Sequence, residues 1–367
     1  MIPIGQDEQL VTDQIRQFAR HSLGRYRETP EIEPGADDAG QWIRECLAMG
    51  LFDPEAGGLW QDDDPASRRQ NVLTLMAISE QSPALALHLH LQALALRVMP
   101  APGTGDQVER LPWLSFGLGP GFPAHQLANW QPGSGARINP AHLSDWWLPA
   151  TAGSALLCAP DYWERLLVPA MTRKGAQWIL IRRADISQII RDSLQAPACW
   201  SAWRPVSIQQ AKRRLIAPLS PDGYRNLLGQ AWLGQLAIAL ASVRHAADLA
   251  CTYADQRRQG GSVIGKHGAV QLLLAELDRA IHLTEPTLEK LCQVPASELW
   301  WQAARARGDL HPLLCRGVNA AMQVFGGIGY MRDTGVESLV RINQMLSCLH
   351  GTPMTMQQLH QQRRLAA

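Results

Sequence analysis

The chain has little that would tie it to a nucleic acid, a bilayer or an oxidising compartment. It has only 4 Lys, and although 30 Arg bring the basic total to 34, 33 acids leave a net charge of +1. No global field therefore points to nucleic acid or a membrane surface, and the Arg excess is no sign of phosphate recognition by itself. Its seven Cys, at 46, 158, 199, 251, 292, 315 and 348, form no Cys-x-x-Cys and are odd in number. Neither a disulfide framework nor a zinc or other metal site is expected, and a reducing cytoplasm fits. The first residues, Met-Ile-Pro-Ile-Gly-Gln-Asp-Glu-Gln, have early acids and no apolar core, so they do not read as a signal peptide. No unbroken apolar run reaches about eighteen residues, so no membrane span is expected. Internal repeats, low-complexity segments and heptads are lacking as well.

What is present is helical periodicity at both ends of the 367 residues, a length that suggests two or three domains. Residues 7–26 and 39–49 are predicted helices, with Val11, Ile15, Phe18 and Leu23 near one face. Gly50–Gly58 reads as a loop, and 66–98 as one or two helices ended by Pro100 and Pro102. Composition then shifts: residues 112–215 hold eight of the 13 Trp, with many Pro and Gly. The short runs Ser154–Ala159, Arg165–Ala170 and Gln177–Arg182 are strand signals and suggest a small β domain. Helix returns over 224–257, where Leu233, Leu236, Leu240 and Val243 form a stripe. Such a helix runs on the order of 50 Å and needs partners alongside. Residues 267–293 and 296–308 supply more helix, with Pro295 and Pro312 as breaks, then 313–325 and a last amphipathic stretch over 335–349. The expected fold is mainly α with a central β barrel or sandwich: an N-terminal helical domain (1–111), a β domain (112–215) and a C-terminal four-helix bundle (216–367).

Two C-terminal segments carry the functional reading. Ala321-Met-Gln-Val-Phe-Gly-Gly-Ile-Gly-Tyr330 is followed by Arg341 and, nine residues on, His350-Gly351-Thr352. Earlier, Tyr253-Ala-Asp-Gln-Arg257-Arg-Gln-Gly-Gly261 precedes Ile264-Gly and Ala269-Val-Gln271. These segments resemble the C-terminal signatures of the acyl-CoA dehydrogenase family, and Gly103-Thr-Gly-Asp-Gln107 is similar to a motif at the exit of that family's N-terminal domain. The resemblance is strongest over 224–357. It implies FAD as cofactor, an acyl thioester or related small molecule as substrate, and assembly into a homo- or hetero-oligomer, a dimer or tetramer. It also implies that Arg257 reaches the FAD pyrophosphate of a neighbouring subunit, a task suited to a bidentate guanidinium. An Arg also suits the C-terminal end of a long helix. Gln323, Gly326 and Gly327 match the segment that approaches the partner's FAD, where glycine lets backbone come close. Gly351 and Thr352 match the last two residues of Glu-Gly-Thr near the flavin.

The same resemblance exposes departures. His350 stands where most members have the catalytic Glu. The alternative base and its Arg neighbour on the long helix correspond to Ala231 and Trp232. The family's motif Phe is Gly260, and its Thr-Glu-x-x-x-Gly-Ser segment corresponds to Ser115–Phe122, with Ser154 too far on to replace it. A neutral His350, with an ordinary pKa near ~6.5, could accept a proton, or the residue could stabilise a helix end. His88-x-His90 looks like a metal pair, but the two diverge on a helix. Trp146-Trp147 and Trp300-Trp301 could stack on a flavin or pack in a core, and Asp62-Asp63-Asp64 reads as a solvated loop. Three readings follow: a flavin-linked oxidoreductase with altered base chemistry; a non-catalytic subunit that completes a partner's FAD site; and a flavin monooxygenase or oxidase on the same scaffold.

Overall fold

The computed structural model describes residues 5–53, 58–99 and 213–366, and strand segments with short adjoining stretches between 113 and 205. The motif residues 103–107 and 115–122, Trp146-Trp147, Ser154 and part of the 50–58 loop lie outside the described residues. Four helices come first: α1 (Gln6–Glu28), α2 (Ala36–Ala48), α3 (Pro65–Ser79) and α4 (Pro83–Leu96). The predicted 66–98 segment is thus two helices, and the division has a local cause. Ser82 caps α4 through its hydroxyl, and Pro83 supplies the preset first turn. Residues 84–95 are buried on every side, which a helix apolar all round requires.

Strands follow: β1 (Trp113–Leu114), β2 (Leu157–Pro160), β3 (Arg165–Thr172), β4 (Gly175–Arg182), β5 (Ile189–Asp192), β6 (Trp200–Pro205) and β7 (Arg213–Pro218). β3, β4 and β7 pair antiparallel, with Leu166 opposite Ile181 and Val168 opposite Ile179; β1 runs parallel to β3. A second sheet has the order β2-β6-β5. The Trp178 ring on β4 lies 6.0 Å from that of Tyr224, which joins the first sheet to the long helix that follows.

That helix, α5 (Pro221–Gln256), has 36 residues and starts with a Ser220 cap and Pro221. Its predicted stripe, Leu233, Leu236, Leu240 and Val243, is wholly buried. It is long and apolar enough to cross a bilayer, but 94% of that window is buried inside the protein. A short hairpin, β8 (Arg258–Gln259) and β9 (Ser262–Val263), leads to α6 (Gly268–Gln293), α7 (Ala296–Phe325), α8 (Val336–Cys348) and α9 (Pro353–Ala366). The architecture is the expected one, mainly α with a central β region and a C-terminal bundle.

Three local expectations need correction. Pro312 does not break the bundle helix: α7 runs through it. A proline strips the i−4 carbonyl of its helical donor; here that carbonyl belongs to Gly308, and Gln357 Nε2 of α9 donates to it at 3.3 Å. The chain also does not finish its helices at 349, because Thr352 caps α9, its Oγ1 accepting from Thr355 N at 3.2 Å. Nor is Asp62-Asp63-Asp64 simply a solvated loop. Asp64 caps α3 by accepting from Ala66 N and Ser67 N, and Asp63 takes Arg68 Nε at 2.7 Å and Asn226 Nδ2 at 2.6 Å.

Candidate functional site

The turn that carries His350 is made by the end of α8. Arg307, buried in α7, donates through Nη2 to the carbonyls of Leu346 at 2.7 Å and Leu349 at 3.1 Å. A buried cation thereby caps the helix end, where unsatisfied carbonyls gather. His350 then adopts φ +58 and Gly351 φ +115. The left-handed region is strained for a side chain other than glycine, by about 1–3 kcal/mol, so contacts must hold it. Two come from α5: Trp232 Nε1 donates to the His350 carbonyl at 3.0 Å, and Gln235 Nε2 lies 2.7 Å from His350 Nδ1. With the amide donating, Nδ1 is the acceptor and the proton of a neutral ring sits on Nε2. His350 is 8% exposed. Gln235 Oε1 is buried with no hydrogen-bond partner among the described residues.

One turn back along α5, a second chain of bonds arrives from the N-terminal helices. Trp60 Nε1 donates to His90 Nδ1 at 2.9 Å, which leaves His90 Nε2 to donate to the Ala231 carbonyl at 3.1 Å. Burial pushes the His90 pKa down to about 4, so the ring is neutral. His88 is pushed down to about 3 by the same cause. His90 uses both nitrogens in this lock, and its ring packs so closely on α5 that a Cβ at Gly234 would overlap it. The expected base positions, 231 and 350, and the Arg position, 232, are therefore all engaged by protein groups. Sequence reasoning missed Trp60, Gln235 and Arg307; the one signal for this joint was Gly234 in the middle of an apolar helix.

The remaining predicted residues lie elsewhere. Tyr253 of α5 stacks on Phe325 of α7, centroids 4.4 Å apart, so the C-terminal ends of these helices meet. Arg257 is the C-cap of α5, and its backbone N–H closes the helix on Tyr253 O at 2.9 Å. Its side chain is exposed, as are Gln323, Gly326 and Gly327. Gly326 has φ +65 and ψ −140, which only glycine tolerates, and its missing Cβ faces open space. Gln323 Nε2 donates to Tyr330 Oη at 3.4 Å. Residues 235 and 257 of α5 are separated by roughly 33 Å at 1.5 Å per residue. The structure thus divides the predicted set in two: His350, Gly351 and Thr352 at the middle of α5, and Arg257, Gln323, Gly326 and Gly327 at its far end. The far end thus carries an exposed guanidinium and open glycine backbone, groups of the kind that bind phosphate oxygens. Trp300 is buried, and Trp301 stacks on His360 at 5.7 Å, so that pair is engaged in packing.

Comparison with known proteins bears on the C-terminal domain and the fold. Residues 225–364 match the acyl-CoA dehydrogenase C-terminal domain. The chain is 29% identical over 174 residues to a probable acyl-CoA dehydrogenase, YngJ, of Bacillus subtilis (strain 168), covering 47% of this chain and 43% of that one. The matched stretch thus spans less than half of that curated relative. Butyryl-CoA dehydrogenase from Megasphaera elsdenii superposes over 100% of both chains with a TM-score of 0.70 at 16% identity. A nitroalkane oxidase covers 100% of this chain and 97% of its own, with a TM-score of 0.69 at 15% identity. Residues 225–364 are therefore an acyl-CoA dehydrogenase C-terminal domain, carried on a chain that shares the fold of these solved structures along its whole length.

Proposed function

We propose that the chain is a subunit of an oligomeric, flavin-linked oxidoreductase acting on an acyl thioester or related compound. In this reading Arg257, Gln323, Gly326 and Gly327 complete the FAD site of a neighbouring subunit, and His350 braces a turn rather than abstracting a proton. The observation that carries it is the division of the predicted residues: those resembling the cross-subunit segment are exposed together, whereas His350 is buried and bonded to α5. FAD when bound supplies hydride acceptance. The residues of this chain supply a phosphate-binding guanidinium, an adjacent amide and a close glycine backbone. The test is FAD affinity. Arg257→Gln should weaken it about tenfold or more, as loss of a charge-assisted bond does, whereas His350→Asn should leave it unchanged. Binding by the purified chain alone would make the neighbour another copy. Binding only on co-expression with a second acyl-CoA dehydrogenase would make it that chain. An unchanged affinity in Arg257→Gln in both settings would overturn the reading.

A second reading, that His350 is the altered base of this oxidoreductase, has its own support. Its backbone is strained at φ +58, Gln235 fixes the ring, and Gln235 Oε1 is a buried acceptor without a partner among the described residues. Strain and orphaned polar atoms gather at functional sites. Under it His350→Gln would lose turnover of an acyl thioester by about 100-fold or more while keeping FAD; activity retained in that variant would remove the base assignment.

A further inference from the structure

Away from both groups, α1, α3, α5 and α6 enclose a cleft of about 990 Å³. Its floor is apolar, with Leu73, Met76 and Ala241, and its walls are charged. Three of its acids are already met by arginines: Arg16 pairs with Asp13 at 3.2 Å and Glu80 at 3.3 Å, and Arg244 pairs with Glu285. A fourth acid, Asp248, stands exposed at the rim. Arg20 and Arg27 also line the cleft, and neither has a carboxylate at ion-pair distance among the described residues; Arg27 Nη1 donates only to the Glu80 backbone carbonyl, at 3.0 Å. His245 of α5 lines the cleft with them, and its Nδ1 is buried without a hydrogen-bond partner among the described residues. Arg27 and His245 also line a second cavity of about 60 Å³.

A buried imidazole nitrogen without a partner calls for an explanation, and guanidiniums turned into a cleft suit oxyanions in fork geometry. We propose that this cleft binds a small oxyanion, a phosphate or carboxylate, held by Arg20, Arg27 and His245. Burial, with the Arg27 charge adding to it, pushes the His245 pKa down to about 4, so the ring is neutral and offers one N–H to the ligand. An apolar floor beneath charged walls would take a short hydrocarbon attached to that head group.

The test is isothermal titration of the full-length protein with inorganic phosphate and, separately, with succinate. Saturable binding of either is expected. Arg20→Gln should weaken it about tenfold or more, and His245→Leu should abolish it, both with an unchanged circular dichroism spectrum. Arg20 is exposed and makes no hydrogen bond to a described residue, so this variant should fold even if His245→Leu does not. Arg257→Gln, at the distant bundle end, should keep the saturable anion site that Arg20→Gln weakens. The proposal would be overturned by three results: no saturable binding of either anion, equal affinity in Arg20→Gln, or binding lost in Arg257→Gln. The last would assign the anion to the cofactor end instead.

Discussion

At His350 the backbone and the side chain make opposite demands. The left-handed φ favours glycine, whereas the bonds to Trp232 and Gln235 hold the turn against α5. A β-branched residue cannot relax at such a φ, so His350→Val should cost about 2 kcal/mol or more, and His350→Asn about 1 kcal/mol or less, read as shifts in the urea midpoint. Gly234 makes a second residue-scale prediction. Ala at that place would overlap the His90 ring, so Gly234→Ala should lose about 1–3 kcal/mol, and adding His90→Ala should recover part of it. The buried histidines also set an acid limit. His90 and His245 are held neutral with folded pKa values of about 4, and His88 of about 3, below the unfolded value of 6.5. The unfolded chain therefore takes up protons first as pH falls. Their contribution is whole above pH ~6.5 and is lost from there down to pH ~4 for His90 and His245 and to pH ~3 for His88, at about 1.4 kcal/mol per pH unit for each histidine. Thermal midpoints across that window should fall, and more gently in His90→Gln.

Elements rather than residues decided which sequence expectations held. The α5 stripe was legible because its apolar spacing directly reflects burial on neighbouring helices. β2, β3 and β4 were legible as short apolar runs, with β3 and β4 each two residues longer than expected, whereas β1, β5, β6 and β7 were not among the runs singled out. Pro312 misled because a proline's effect depends on who replaces the lost bond, and Gln357, 45 positions on, was invisible as that partner. The helix α9 was missed because its residues are polar and rich in Gln and Arg; Thr352-Pro353 was the local signal that marked it. The compensation can be tested: Gln357→Leu should leave the Gly308 carbonyl without its donor and cost about 1–2 kcal/mol in the same unfolding assay. The site was legible only as separate motifs. Nothing in sequence spacing joins Trp60 to His90 to Ala231, or separates Arg257 from His350 along one helix.

The whole molecule is a family fold with its chemistry redistributed. The N-terminal helices are locked to the bundle where the expected base positions lie, and the far end of the bundle presents an open, arginine-bearing surface. Under the proposed function this arrangement works through a neighbour, since a cofactor site shared across subunits is complete only in the oligomer. The most direct measurement is FAD titration of the assembled protein, followed in the visible spectrum, for the parent chain, Arg257→Gln and His350→Asn. A cofactor site shared across subunits predicts an affinity reduced about tenfold or more in Arg257→Gln and unchanged in His350→Asn. The opposite pattern, flavin lost with His350 altered and retained with Arg257 altered, would contradict it.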